Sequence, residues 1–425
     1  MGERPAIVIA GAGIAGLTLG LTLQQIGVPF RIFEAASELK PLGVGINLQP
    51  NAVRELFDLG LEAELDRIGI RTRDYGFYTK TGREIWTEPR GLDAGYRWPQ
   101  YSLHRGKLQM ALYDALVERA GRDCVTPGAR ATGFENVDGG AVLRLDAAAG
   151  ATEVHGDLVV AADGIHSAVR RQMRPEEGSP IWGGAVLWRA TTEAAPYKSG
   201  ASMILAGHRT QRIVAYPITP PDPATGLATI NWIAELTIDP SRGWRREDWN
   251  RRADLGDFLP AFEDWRFDWL DVPALIRGAR EVFEYPMVDR DPIERWTDGR
   301  VTLMGDAAHP TYPVGSNGAS QAIVDARVIG AAFLEHGVGP AALQAYEAVV
   351  RPQTERVILA NRGSGPDAIM QLVESRCGGV FERIEDVVPH AELAAHAEKY
   401  KKIAGFSIAE LNARPPLVPA GARVA

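Results

Sequence analysis

The residues best placed to do chemistry are Gly305-Asp306 and, a few positions on, Pro313-Val314-Gly315-Ser316-Asn317-Gly318. An apolar run, Val301-Thr302-Leu303-Met304, precedes them and reads as a short buried strand, and a helical pattern over 319–333 follows. Asp306 at the strand end can accept hydrogen bonds from ligand hydroxyls. The amides around 315–319 open a helix whose positive end favours negative charge. Glycines and prolines between the two elements fix the turn and let backbone come close to a flat ligand. A ligand with a polyol arm and an electron-accepting ring suits both halves, and a flavin is such a ligand. A plain strand-to-helix turn would also satisfy this stretch, so its meaning depends on its company.

That company begins with Gly11-Ala12-Gly13-Ile14-Ala15-Gly16, a G-x-G-x-x-G run placed after an apolar strand (6–10) and opening a helix (14–26). The first glycine makes the turn, the second admits a pyrophosphate, and the third lets helix and strand pack closely; Ala15 lies in the same cradle. A second strand, Phe30-Arg31-Ile32-Phe33, ends at Glu34, whose carboxylate is placed for the ribose hydroxyls of an adenosine. The same charge repels a 2'-phosphate, so this site should hold FAD or NAD rather than NADP. Val44 and Gly45, in Pro41-Leu42-Gly43-Val44-Gly45, suit a loop running along a ring face, and Asn51 is a candidate N-cap for the next helix. Arg105 at a helix start can hold a pyrophosphate or ribityl oxygen, or be a solvated surface arginine. A third strand, 157–162, runs into Asp163-Gly164, a tight bend ahead of a helix start at Ser167.

These turns need a parallel sheet to carry them, and the pattern changes after it. Four strand-like runs, 185–192, 201–206, 211–218 and 228–236, are separated by turns rich in Pro, Gly and Asp, which predicts an inserted antiparallel sheet. One face of it could roof an aromatic substrate, with Trp188, Tyr216, Trp232 and, from the turn below, Val314 as pocket candidates. Arg189 sits among apolar residues and suggests either an internal acid, the favoured reading, or a substrate carboxylate. Residues 244–280 look helical and polar, and 413–425 read as a loosely ordered tail.

Composition sets outer bounds. The 425 residues suffice for two or three domains, and 45% hydrophobic with 24% charged residues is ordinary for a globular protein. A net charge of -8 without a basic cluster argues against nucleic acid as the main partner. Cys124 and Cys377 alone build neither a disulfide framework nor a metal site, so no metal is expected and a reducing, cytoplasmic setting is. The uncharged stretch 5–23 superficially resembles a signal peptide, but its four glycines and two threonines fit a buried strand, turn and helix better.

Taken together, Gly11-x-Gly13-x-x-Gly16 with Glu34, Asp163-Gly164 and Gly305-Asp306, with an inserted sheet, resemble the single-component FAD-dependent aromatic hydroxylases, the para-hydroxybenzoate and salicylate hydroxylase family. The likeness spans roughly residues 6–362. The runs 41–47, 99–102, 285–292 and 318–323 look like its phenazine-hydroxylating branch, with departures at Pro310-Thr311, Val314 and after Arg362. The resemblance implies an α/β fold: a Rossmann-like FAD-binding domain (1–72, 98–180 and 285–375), a β-sheet substrate domain (73–97 and 181–284) and a C-terminal helical segment and tail (376–425). It implies that Glu34 and Arg105 hold the adenosine and pyrophosphate side of FAD. Asp306 would bind the ribityl chain, Pro313 to Gly318 (with Gly315 and Asn317) would line the isoalloxazine, and Asp163 would serve both FAD and a passing NADH or NADPH. The activity implied is hydroxylation by O2 at the flavin C4a position, with decarboxylation where a carboxylate marks the attacked carbon. The substrate implied is a small aromatic or N-heteroaromatic molecule such as a phenazine carboxylate. Tyr216, His309 and Pro313 are the candidates for a direct catalytic part. Rival expectations are an FAD-dependent reductase or desaturase of the same fold, and a non-enzymatic flavin-binding module.

Overall fold

Ile7–Ala10 is buried at all four positions and lies near the middle of a six-stranded sheet. Leu158–Ala161 and Phe30–Phe33 flank it in parallel, and all three run largely apolar because helices cover one face of the sheet and a three-stranded antiparallel sheet, Ala129–Val137, Gly140–Ala147 and Gly150–Gly156, covers the other. Val301–Leu303 adds in parallel beyond Leu158–Ala161, so the turns at Gly11, Asp163 and Gly305 leave the same edge of one sheet. The computed structural model describes residues 5–148, 150–239, 251–363 and 365–424.

The helix Ile14–Ile26 buries eleven of its thirteen residues between this sheet and the helix Gly318–His336. It can lie that close because Gly16 has no side chain: a Cβ there would stand 2.0 Å from the Gly11 carbonyl oxygen. Thr18 and Thr22 stay inside by donating their hydroxyls to the Ile14 and Thr18 carbonyls.

A seven-stranded sheet holds Phe283–Asp289, Ile181–Ala194, Ala228–Thr237, Gln211–Pro217, Ser202–His208, Asp74–Tyr78 and Glu84–Pro89 in that order. All four predicted runs are in it. Asp74–Tyr78 joins Ser202–His208 in parallel, and the remaining pairs are antiparallel. Two cores lie against this sheet. One, on the far side, packs Trp188 and Trp232 with Phe258, Phe262 and Ile276. The other packs Tyr75, Met203, Leu205 and Tyr216 with Ile369, Met370 and Val373 of the helix Ala368–Cys377.

Three expectations are corrected. The helix after the Gly45 loop is Pro50–Asp58, with Gln49 as its N-cap and proline at its first position, so Asn51 lies inside it. Residues 244–250 of the helical-looking stretch lie outside the described residues. Of its remainder only Val272–Arg277 is α-helical, because Pro260 and a run of bulky aromatics favour short 3-10 turns and a two-stranded pair over a continuous helix. The tail is also tied down. Val418 is buried in the main core, and the Val424 amide donates to the Ile26 carbonyl at 3.0 Å. Among the described residues, no helix is long and apolar enough to cross a membrane.

Candidate active site

The three turns meet at one cavity of about 340 Å³, within the usual size of small-molecule sites. Gly13 to Ala15, Ala162 with Gly164, and Asp306 with the loop from Pro313 to Ala319 line it from the parallel sheet, and Arg105 lines it from the start of the helix Arg105–Ala120. Leu187, Arg189, Leu205, Val214, Tyr216 and Ile233 line it from the seven-stranded sheet. At Gly13, Gly164 and Gly318 an added Cβ would meet nothing within 4 Å, so each leaves open space beside bare backbone.

The loop that carries Pro313 and Val314 into the cavity is held in an uncommon shape. Gly315 (φ 76) and Ser316 (φ 56) both take the left-handed region, which for serine costs of order 1–3 kcal/mol. Tyr400 from the helix His390–Ile403 offsets this cost. Its hydroxyl receives the Asn317 amide Nδ2 at 2.5 Å and donates to Asn361 Oδ1 at 2.8 Å. Gln49 Nε2 donates to the Gly315 carbonyl at 3.3 Å, and the Gln49 amide donates to Ser320 Oγ at 3.0 Å. Sequence reasoning missed Tyr400, Asn361 and Gln49, which lie far from the loop in the chain.

Asp306 is open to the cavity although protein encloses it, and that enclosure pushes its carboxyl up, against the pull of His309 and Arg105. Beneath it, Asp325 Oδ2 accepts from the Gly305 amide at 2.9 Å and pairs with His309 Nε2 at 2.5 Å. His309 is thus corrected as a catalytic candidate: it is buried against Asp325 and the Trp296 ring, and does not line the cavity. Burial alone would lower its pKa, but the charge and hydrogen bond of Asp325 raise it. Its place in the chain, three residues past Asp306, concealed that its ring turns back toward the helix Gly318–His336.

Glu34 stands beside the glycine turn with both oxygens oriented, one accepting from the Ala12 amide at 2.7 Å and the other from Ala36 at 2.8 Å. Asp163 accepts from the Ala168 amide at 2.9 Å through one oxygen. Its other oxygen is buried without a protein partner, and burial raises the pKa of the group. Val44 is buried, its carbonyl holding the Arg105 amide at 2.9 Å. The sheet grips Gly45 at both ends: its amide donates to Asn231 Oδ1 at 2.7 Å, and its carbonyl accepts from Arg189 Nη2 at 3.0 Å.

On the roof the two-residue period of the strands decides everything. Leu187 and Arg189, Arg212, Val214 and Tyr216, and Ile233 and Glu235 share the cavity face. Trp188 and Trp232 point the other way and are corrected as pocket residues. They are 4% and 0% exposed, Trp188 stacks on Phe258 at 4.8 Å, and their indole N–H groups donate to Glu284 and Thr192. Tyr216 does face the cavity. Burial pushes its hydroxyl up to about 12, with Arg189 drawing it partly back, so near neutral pH it is a hydrogen-bond donor rather than a base. Arg189 has no carboxylate within 4 Å among the described residues, which corrects the favoured internal pairing.

An FAD fits these residues. Orphaned buried atoms of two cavity-lining residues (Asn317 Oδ1 and Asn47 Nδ2) sit where a ligand rich in donors and acceptors would be met, and the open glycines admit its phosphates and ring. Residues 4–236 and 279–360 match the family described as FAD binding domain. The chain belongs to that family. It is 44% identical over 371 residues to phenazine 1,6-dicarboxylic acid hydroxylase of Lysobacter antibioticus, covering 84% of this chain and 89% of that protein. To the aurachin C monooxygenase/isomerase of Stigmatella aurantiaca it is 33% identical, covering 81% and 84%. A salicylate hydroxylase substrate complex superposes with a TM-score of 0.73 over 98% of this chain and 99% of that one, at 20% identity, which speaks for the fold alone. The chain is an FAD-dependent aromatic monooxygenase that uses NAD(P)H and O2. The oxygenase expectation therefore stands over the reductase, desaturase and binding-module readings.

Proposed function

We propose that this monooxygenase hydroxylates a flat aromatic or N-heteroaromatic carboxylate, such as a phenazine carboxylate, in the cavity beneath the seven-stranded sheet. In balance, ArH, O2, NAD(P)H and a proton give ArOH, NAD(P)+ and water. Where the ring carboxylate sits on the attacked carbon, ArCOO- and a second proton replace ArH, and carbon dioxide leaves. Bound FAD supplies the electron relay and the oxygen activation. The protein's part is placement and dryness. Glu34, Arg105 and Asp306 would hold the cofactor's polar arms, and the Pro313 to Gly318 loop its ring. The amides that open the helix Gly318–His336 favour negative charge on that ring. Leu187, Leu205, Val214 and Ile233 exclude water from the reacting ring, and Tyr216 offers a proton to hydrogen-bond a substrate oxygen. We further propose the division into a discontinuous FAD-binding domain (1–72, 98–180, 285–375), a sheet domain (73–97, 181–284) and a C-terminal segment (376–425), with a cytoplasmic location.

The carrying observation is that one cavity runs unbroken from the three cofactor-fitting turns to the face of the sheet that bears Leu187, Arg189, Val214, Tyr216 and Ile233. FAD-loaded protein given NADH should release hydrogen peroxide when alone. With phenazine-1-carboxylate it should divert that oxygen into a product carrying one added oxygen atom, with or without loss of carbon dioxide. Continued full conversion to peroxide across phenazine and benzoate acids would refute the reading.

A further inference from the structure

Cross-strand register puts two unlike charged groups on the roof. In one row across the sheet lie Arg189, Ile233, Val214 and Leu205; in the next lie Leu187, Glu235 and Arg212. Arg189 and Arg212 are therefore two strands and two residues apart, about 12 Å from strand spacing and rise. The surface between them is apolar.

The two guanidiniums differ in what they have left to give. Arg189 spends one N–H on the Gly45 carbonyl, hydrogen-bonds the Tyr216 hydroxyl and lies 5.9 Å from the Tyr285 ring centre, while its Nε is buried without a partner. Arg212 is committed. It donates to Glu235 Oε1 at 2.7 Å and to Asp367 Oδ2, with its own side chain 8% and that of Glu235 7% exposed. One guanidinium meets two carboxyl groups there, and burial pushes the Glu235 carboxyl up, so no positive charge is left over at that end. The nearest compensation, Arg90 and Lys401 around Glu88, lies behind Tyr75 and outside the cavity. A ligand thus meets a cation with spare donors at one end and carboxylate oxygens at the other.

We propose that Arg189 anchors the substrate by a ring carboxylate, and that the Arg212–Glu235–Asp367 cluster faces the opposite edge, where it receives a hydrogen-bond donor or a cationic ring nitrogen and rejects a second carboxylate. The inference deepens the reading above and rests on it: the substrate is a monocarboxylated heteroaromatic carrying a donor or positive charge away from the acid. It parts here from the relative whose name specifies a dicarboxylic acid. An anion brought to Arg189 replaces water around a half-buried charge that no carboxylate among the described residues satisfies, whereas a second anion beside Glu235 and Asp367 is desolvated against carboxyl oxygens that already share the one guanidinium there.

The test is equilibrium binding to the FAD-loaded enzyme, read from the flavin absorbance change without turnover. The probes are phenazine-1-carboxylate, phenazine-1-carboxamide, phenazine-1,6-dicarboxylate, salicylate and salicylamide. Acid should bind roughly ten- to hundredfold tighter than its amide, and the dicarboxylate roughly tenfold weaker than the monocarboxylate. Arg189→Met should bring the acid-to-amide ratio close to one while Arg189→Lys restores part of it, a ratio that a merely structural loss would not move. Glu235→Gln should narrow the gap between the two phenazine acids by roughly tenfold. Equal binding of acid and amide by the unaltered enzyme, or a ratio surviving in Arg189→Met, overturns the anchor. A dicarboxylate that binds as tightly as the monocarboxylate overturns the selecting role of the cluster. An acid preference confined to the salicylate pair, with no phenazine bound, keeps Arg189 as anchor and removes the phenazine class instead. The unaltered enzyme decides both points should a variant fail to retain FAD.

Discussion

Replacing Tyr400 with phenylalanine removes a single oxygen about which the cofactor loop is organised. That oxygen receives Asn317 Nδ2 at 2.5 Å and donates to Asn361 Oδ1 at 2.8 Å, both in buried surroundings. In the variant each amide loses its partner in a space the phenyl ring still fills, so water cannot readily replace it. A buried polar group left unmet costs about 1–3 kcal/mol. Asn361 keeps other bonds, through Nδ2 to Thr311 Oγ1 and the Tyr312 carbonyl, so its share falls at the low end. A combined loss of about 2–3 kcal/mol is charged against the one loop shape that holds Gly315 and Ser316 at positive φ. If that shape is the one FAD requires, its affinity drops by roughly 30- to 150-fold. Titration of the apoprotein with FAD, followed by quenching of flavin fluorescence, measures the constant, and a thermal melt of the apoprotein separates general destabilisation. A variant that binds FAD within threefold of the parent, with only its melting temperature lowered, would refute the loop-clamp reasoning.

Asp306→Ala should yield protein that loses its yellow colour on gel filtration; unchanged flavin content would remove Asp306 from the cofactor site. His309 has a folded pKa raised above its unfolded value by Asp325, so its stabilisation is fully present below about 6.5 and is lost as pH rises through the folded value. Urea midpoints of the parent and His309→Gln should therefore lie furthest apart in mild acid and converge toward alkaline pH, and a constant gap would contradict the charged pair. Trp232→Phe should lower the melting temperature, since a fully buried indole loses its bond to Thr192, at a cost of about 1–3 kcal/mol. Its substrate KM should stay unchanged, and a KM shift would return Trp232 to the pocket.

Local chemistry was readable where neighbours in sequence are neighbours in space. The glycine run, its strand and its helix occupy one short stretch, and Gly16 answers to a close approach within it, from the Gly11 carbonyl. The meeting of Gly13, Gly164 and Asp306 was also legible, because turns leaving one edge of a parallel sheet converge. The Tyr400 clamp was not, since it joins side chains separated by 83 and 39 positions and no periodicity reports such a bond.

The face of the roof is the more instructive miss, because the sequence did contain its signal. Alternation divides each strand into two classes, and both classes here carry aromatics, so choosing by aromatic content selected Trp188 and Trp232. Charge separates the classes where aromaticity does not. Arg189, Arg212 and Glu235 fall on the same face as Tyr216, whereas Val186, Trp188, Ala190, Ile213, Ala215, Trp232 and Ala234 form a class without a single charge. An ion in a dry core is too costly to keep unless it is paired. A charged class on an otherwise apolar strand must therefore face a cavity that admits polar matter, and the uncharged class must face the packed side. The same argument makes Arg189 informative and Arg212 less so: a buried ion with its counter-ions in place explains itself, and one without them requires a ligand.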